Sequence, residues 1–195
     1  MISNYNSTPE TLKHIEQVAE LLCEVAERIF ERVGGHDASK LESPEKEIFD
    51  IYTPKLKDTI YGSDEYKQYL KEMDVALNHH YSENRHHPEH FENGIKDMNL
   101  IDIIEMFCDW KAATMRHADG DILKSIEINQ KRFGYPNELK AIFLNSVDLF
   151  SLERDKKIHQ RQFVEEAMMV AALNINREPD VESMKLLNKV MEDLI

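Results

Sequence analysis

Residues 99–117 read NLIDIIEMFCDWKAATMRH. The stretch has the three- and four-residue spacing of an amphipathic helix. Asp102, Glu105 and Asp109 fall on one face with Met106, flanked by Ile101, Ile104, Phe107 and Cys108. Negative charge is favourable in a first helical turn, which accounts for Asp102. Glu105 and Asp109 lie deeper. Carboxylates in so apolar a helix need a cation or a metal as partner. Trp110, between them and Lys111, is expected to pack.

The same spacing extends along the chain. Leu12, Ile15, Val18, Ala19, Leu22, Ala26, Ile29, Phe30 and Val33 form one stripe over residues 8–33, which Gly34-Gly35 ends. Further helices are expected over 44–60, with a break before Pro54, from Ser63 or Asp64 to Tyr81, over 121–132, over 136–150, and within 154–175 and 180–195. Residues 82–98 read as a polar loop with one short helix. Only six glycines and six prolines interrupt 195 residues, and alternating β-branched runs are absent. The fold class is therefore all-α, a compact single-domain helical bundle.

The formal net charge is −13. Such a chain repels phosphate backbones, so no extended nucleic-acid surface is expected. A small phosphorylated substrate remains compatible, because a metal ion inverts the local field. No apolar run approaches the roughly 18–20 residues that span a bilayer. The N-terminal stretch has no basic or apolar leader pattern, so the expected setting is cytoplasmic. Cys23 and Cys108 form no CxxC and no disulfide framework, and are read as small buried hydrophobes.

Nine histidines are present, five of them between 79 and 90 in NHHYSENRHHPEH. Imidazole with carboxylate suits Zn, Fe, Mn, Co or Ni. The doublet His36-Asp37 follows the Gly-Gly break, where both side chains can reach one ion or bridge two. Lys40 lies about one turn on and can face the same pocket as a point charge for an anionic phosphate. His14 stands on or beside the first stripe. Each residue alone has an ordinary structural reading: a core histidine, a helix cap, a solvated loop.

In order, they resemble the HD-domain superfamily: His14 on a first helix, His36-Asp37, His80 with His86 and His87, then Asp109. HDASK is similar to that superfamily's HD-x-x-K, with Lys40 as the lysine. HHYSENRHHPEHF and EMFCDW are similar to a narrower, often phage-encoded HD-like group with H-x-x-x-N-x-H-H and E-M-x-x-D-W patterns. The residues here are His80, Asn84, His86 and His87, then Glu105, Met106, Asp109 and Trp110. The resemblance covers roughly residues 10–117, leaving helices over about 120–195 as an addition within one domain.

The resemblance implies an HD-like bundle holding one or two divalent ions (Mn, Fe, Zn, Co, Ni or Mg). His14, His36, Asp37 and Asp109 would bind the first. His80 and one of His86 and His87 would bind the second, with Asp37 bridging. The implied activity is metal-dependent phosphohydrolysis of a nucleotide or other small phosphoester by metal-activated water. Lys40 or Arg85 would neutralise the phosphate. Glu105 would orient a histidine or act as general base. The alternatives are a di-iron oxygenase of the same fold and a non-catalytic, metal-containing binding or regulatory protein. The acidic surface and C-terminal helices could also serve a homodimer.

Overall fold

The computed structural model describes residues 5–59, 63–116 and 120–150. The expected helices within 154–175 and 180–195 lie outside these. The architecture is all-α, with seven α-helices and no strand among the described residues. No helix among them is long and apolar enough to cross a membrane.

Helix α1 (Thr8–Gly35) belongs to one compact unit, and the described residues from His36 to Phe150 belong to a second. In the first unit, Asn6 Oδ1 accepts from Thr8 N at 3.1 Å and starts the helix. The helix continues through Gly34 and stops at Gly35.

The second unit opens with a 3-10 turn, Ala38–Leu41, followed by α2 (Glu45–Asp58), α3 (Asp64–Glu72) and α4 (Asp74–Glu83). Pro54 does not break α2. One missing N–H costs a single rung of the ladder. The helix expected from Ser63 to Tyr81 is two helices. Ser63 Oγ caps the first by accepting from Tyr66 N at 3.1 Å. The chain leaves helical geometry at buried Met73, φ −86° and ψ 2°. The apolar period runs through this joint, so the sequence does not mark it.

Residues 88–98 hold two 3-10 turns, Pro88–His90 and Gly94–Asp97, rather than one short helix. Then come α5 (Leu100–Met115), α6 (Ile122–Phe133), α7 (Asn137–Ser146) and a last 3-10 turn, Val147–Phe150. Gly134, at φ 65°, ends α6 in a left-handed cap and returns its N–H to Gln130 O at 2.8 Å. Tyr135 and Pro136 then turn the chain into α7.

Helix α2 packs on α4, α5 on α6, and α6 on α7. The core gathers Met106, Phe107, Trp110, Ile122, Ile126, Tyr135 and Phe143. Burial of each large apolar side chain contributes about 1.5–3 kcal/mol. Trp110 packs here, 5.3 Å from Phe143 between ring centroids. The Tyr135 hydroxyl donates to Ile126 O at 2.7 Å, so its burial leaves no orphaned polar group. Both cysteines are exposed, contrary to the expectation of burial. Cys108 sits on α5 outside the stripe that Met106, Phe107 and Trp110 turn inward.

Candidate metal centre

Helix α5 carries core on one side and carboxylates on another. Its start is fixed by a reciprocal cap. Asn99 Oδ1 accepts from Ile101 N at 2.8 Å and Asp102 N at 3.0 Å, while Asp102 Oδ2 accepts from Asn99 N at 3.1 Å. Arg85 closes on the same buried carboxylate with two bonds, Nε to Oδ1 at 3.1 Å and Nη2 to Oδ2 at 2.9 Å. Its guanidinium also lies 4.8 Å from the Phe91 ring centroid. The sequence offers Arg85 as a phosphate partner. The structure gives its fork to Asp102, because a fully buried carboxylate requires a cation.

One turn further, Glu105 Oε1 accepts from His36 Nδ1 at 3.0 Å and lies 3.1 Å from His86 Nδ1. Both rings thereby face the same way. His36 Nε2 lies 3.7 Å from Asp37 Oδ2 and 3.8 Å from Asp109 Oδ1. His86 Nε2 lies 3.5 Å from Asp37 Oδ1. This is the arrangement of a carboxylate that orients imidazoles toward a metal.

Asp37 stands at the middle in a left-handed conformation, φ 56° and ψ 14°. Asp and Asn are the side chains that tolerate this region, whereas others pay roughly 1–2 kcal/mol. The conformation turns the carboxylate inward just before the Ala38–Leu41 turn. Lys40, one turn on, donates to Asp37 Oδ2 and lies 5.5 Å from the Phe49 ring centroid.

Helix α4 and the loop after it supply the other donors. His80 Nε2 lies 2.9 Å from His87 Nε2 and 3.2 Å from Asp37 Oδ1. Asn84 ends α4, its Nδ2 donating to His80 O at 2.8 Å and to Ser39 Oγ at 2.7 Å. That ties the His80 turn to the doublet's turn.

Three groups of donor atoms result: Asp37 with His80, His86 and His87; His36 with Asp37 and Asp109; and His36 with His86 and Glu105. Within each, the atoms lie within 4.8 Å of one another. Opposite ligands of one ion at about 2.1 Å stand about 4.2 Å apart, so each group is of a size for one ion. A further observation tests the fit. Asp37 Oδ1 and both ring nitrogens of His86 are buried without a hydrogen bond. Unsatisfied buried polar atoms are costly, and a cation among them removes the cost.

The groups are drawn from the second unit. His14 lies on α1, in the first unit, with its side chain exposed. His79 and His90 belong to none of the three groups. His90 Nδ1 is held by Tyr81 O at 2.9 Å. His79 leads to a residue that sequence reading missed. Glu45, fully buried at the start of α2, places Oε1 2.8 Å from His79 Nδ1 and Oε2 2.9 Å from His80 Nδ1. An acid in a first helical turn is so common that its sequence gives no signal. With Nδ1 held, His80 turns Nε2 to the cluster. Glu45→Gln should weaken metal binding about 10–100-fold, the usual weight of an outer partner. Metal titration followed by fluorescence or calorimetry measures this, and an unchanged affinity rejects the role.

The charges are strongly coupled. Asp109 and Glu105, as hydrogen-bond partners, raise His36 to about 9 against the pull of burial. Burial alone would raise Asp37, yet the approach of His80, His86 and Lys40 holds it far below the usual carboxylate range. Burial, with His86 and His80 alongside, pushes His87 down to about 3. Burial thus favours a neutral His87, whereas His36 holds a proton that a bound ion would have to displace. Divalent-ion affinity should rise with pH, by up to about tenfold per unit for each proton released, and level off above about 9. Calorimetry in buffers of different ionisation enthalpy counts those protons, and a flat profile contradicts the coupling. The sign for ion-free folding is opposite. His36 stabilises that fold fully below pH 6.5, and the contribution fades as pH rises through about 9.

No curated protein and no solved structure matches the chain. A family of unknown function, DUF5662, matches residues 3–168. With that much of its length matched, the chain belongs to the DUF5662 family.

Proposed function

We propose that this chain is a metal-dependent phosphohydrolase of HD-domain type, acting on a nucleotide or another small phosphoester. The observation that carries the reading is the pair of orphaned atoms, Asp37 Oδ1 and His86 Nε2, 3.5 Å apart where the donor groups meet. Asp37 would bridge, with His36 and Asp109 on one side and His80, His86 and His87 on the other. An ion held there would polarise a phosphoryl oxygen and lower the pKa of a bound water toward neutrality.

The chain's own residues set the rest. Glu105 and Glu45 fix the ring orientations. Arg85 acts through Asp102, holding the start of α5. Lys40 is the cation beside the donors, about two-thirds buried at its side chain, and its ammonium suits an anionic phosphate. Lys40→Ala should raise KM for a phosphoester about tenfold or more while changing metal content less than twofold, since it supplies charge and no ligand. Steady-state kinetics beside elemental analysis checks this, and equal loss of both means that Lys40 serves structure.

The test of the reading itself is elemental analysis of the purified protein with a screen of nucleotides and small phosphoesters. Absence of bound transition metal, or of any phosphate release, counts against it. One observation supports a second reading. His86 and His87 both join His80 at the cluster, which gives the donor count of a di-iron oxygenase. Two irons with a visible absorption band would favour that chemistry over hydrolysis.

A further inference from the structure

The donor groups around Asp37 are unlike in chemistry and in access. The inner group offers three imidazoles and one carboxylate oxygen: His80, His86, His87 and Asp37. His80 and His86 are 2% and 1% exposed. The outer group offers one imidazole and two carboxylates: His36, Asp37 and Asp109. The side chains of His36 and Asp109 are 33% and 26% exposed.

We infer that the two positions hold different kinds of ion: a resident, borderline transition metal inside and a harder, exchangeable ion such as Mn²⁺ or Mg²⁺ outside. The inference rests on the two-ion reading of the site. Imidazole donors suit Zn, Fe, Co and Ni, and affinity for such a set rises steeply from Mn²⁺ toward Zn²⁺. Four protein donors, two of them sealed from solvent, leave little room for water. Ions in such closed shells exchange slowly. Carboxylate oxygens suit Mg²⁺ and Mn²⁺. Mg²⁺ also retains several waters, which a three-donor, partly open group allows.

The inner position is pre-organised for this role. Glu45 holds Nδ1 of His80 so that Nε2 faces His87 and Asp37, and the orphaned His86 Nε2 faces Asp37 Oδ1 at 3.5 Å. The outer position draws on His36 and Asp109, the more exposed donors. Lys40 stands beside that outer side, on Asp37 Oδ2. An ion held there would have the Lys40 ammonium beside it, a positive charge suited to an entering anion.

The experiment uses the full chain, dialysed against EDTA and then titrated with Mn²⁺ under electron paramagnetic resonance. Elemental analysis should find about one Zn, Fe, Co or Ni per chain after dialysis, and Mn²⁺ should bind as one further equivalent. Asp109→Asn should raise the Mn²⁺ Kd at least about 10-fold and leave the retained ion in place. His87→Gln should lose the retained ion. Two ions of one kind retained or removed together would overturn the inequality while leaving a two-ion centre standing. The inequality also falls if both substitutions weaken both ions alike. No bound ion in the unaltered protein, even after reloading, defeats the two-ion reading and this inference with it. The dialysis arm requires no variant to fold.

Discussion

Asp37→Asn should reduce metal affinity more than about 100-fold, a larger loss than the 10–100-fold expected when only an outer partner is removed. Asp37 is the donor common to the inner group and the outer group. Its removal affects both positions at once. Asparagine is the informative replacement. It keeps the size of the side chain and tolerates the left-handed backbone at φ 56°. Alanine there would add roughly 1–2 kcal/mol of backbone strain and confuse folding with ligation. Helical content by circular dichroism should be unchanged, while elemental analysis shows the metal gone. Wild-type metal content in the variant would mean that the centre is wrongly assigned.

Phe143→Ala should destabilise the second unit by about 3–5 kcal/mol, the usual range for a buried phenylalanine. Phe143 is 2% exposed and meets three aromatic rings. Its centroid lies 5.0 Å from Phe107, 5.3 Å from Trp110 and 5.4 Å from Tyr135. Offset and edge contacts of this kind add about 0.5–1.5 kcal/mol each beyond area alone. Denaturant titration measures the loss. Below the transition, the variant should still bind metal with wild-type stoichiometry, because Phe143 meets the core side of α5 and none of the donors. A loss under about 1 kcal/mol would mean that the aromatic cluster is not the core of this unit.

These two residues mark what was readable in the sequence. The period of α5 was plain, and so was the need of Glu105 and Asp109 for a partner. The His36-Asp37 doublet and the 80–87 histidines were readable because several metal-binding residue types in order carry more information than any one. The parts that escaped depend on three-dimensional pairing. Glu45 reads as an ordinary first-turn acid, and only its two histidine contacts reveal its place. The joint at Met73 leaves the apolar period intact, so periodicity passes over it. Arg85 sits among candidate ligands in sequence but turns to Asp102, since a sealed carboxylate binds a guanidinium more firmly than an open rim does. Cys23 and Cys108 show the limit of composition. An apolar sequence neighbourhood does not set which flank of a helix a residue occupies.

The clasp of Asn99 and Arg85 on Asp102 has a consequence for which changes of chain length the centre can absorb. A helix is a screw, and each residue advances it by about 100°. The clasp sets the phase of that screw at Asp102, and Glu105 and Asp109 inherit their directions from it. Insertions in the 91–98 connection enter before the phase is set, so the carboxylates keep their bearings. A single insertion between Asp102 and Asp109 enters after it and swings Asp109 a quarter-turn or more away from His36. Drift in length is thus confined to the loop, and the segment from Asp102 to Asp109 must keep its count.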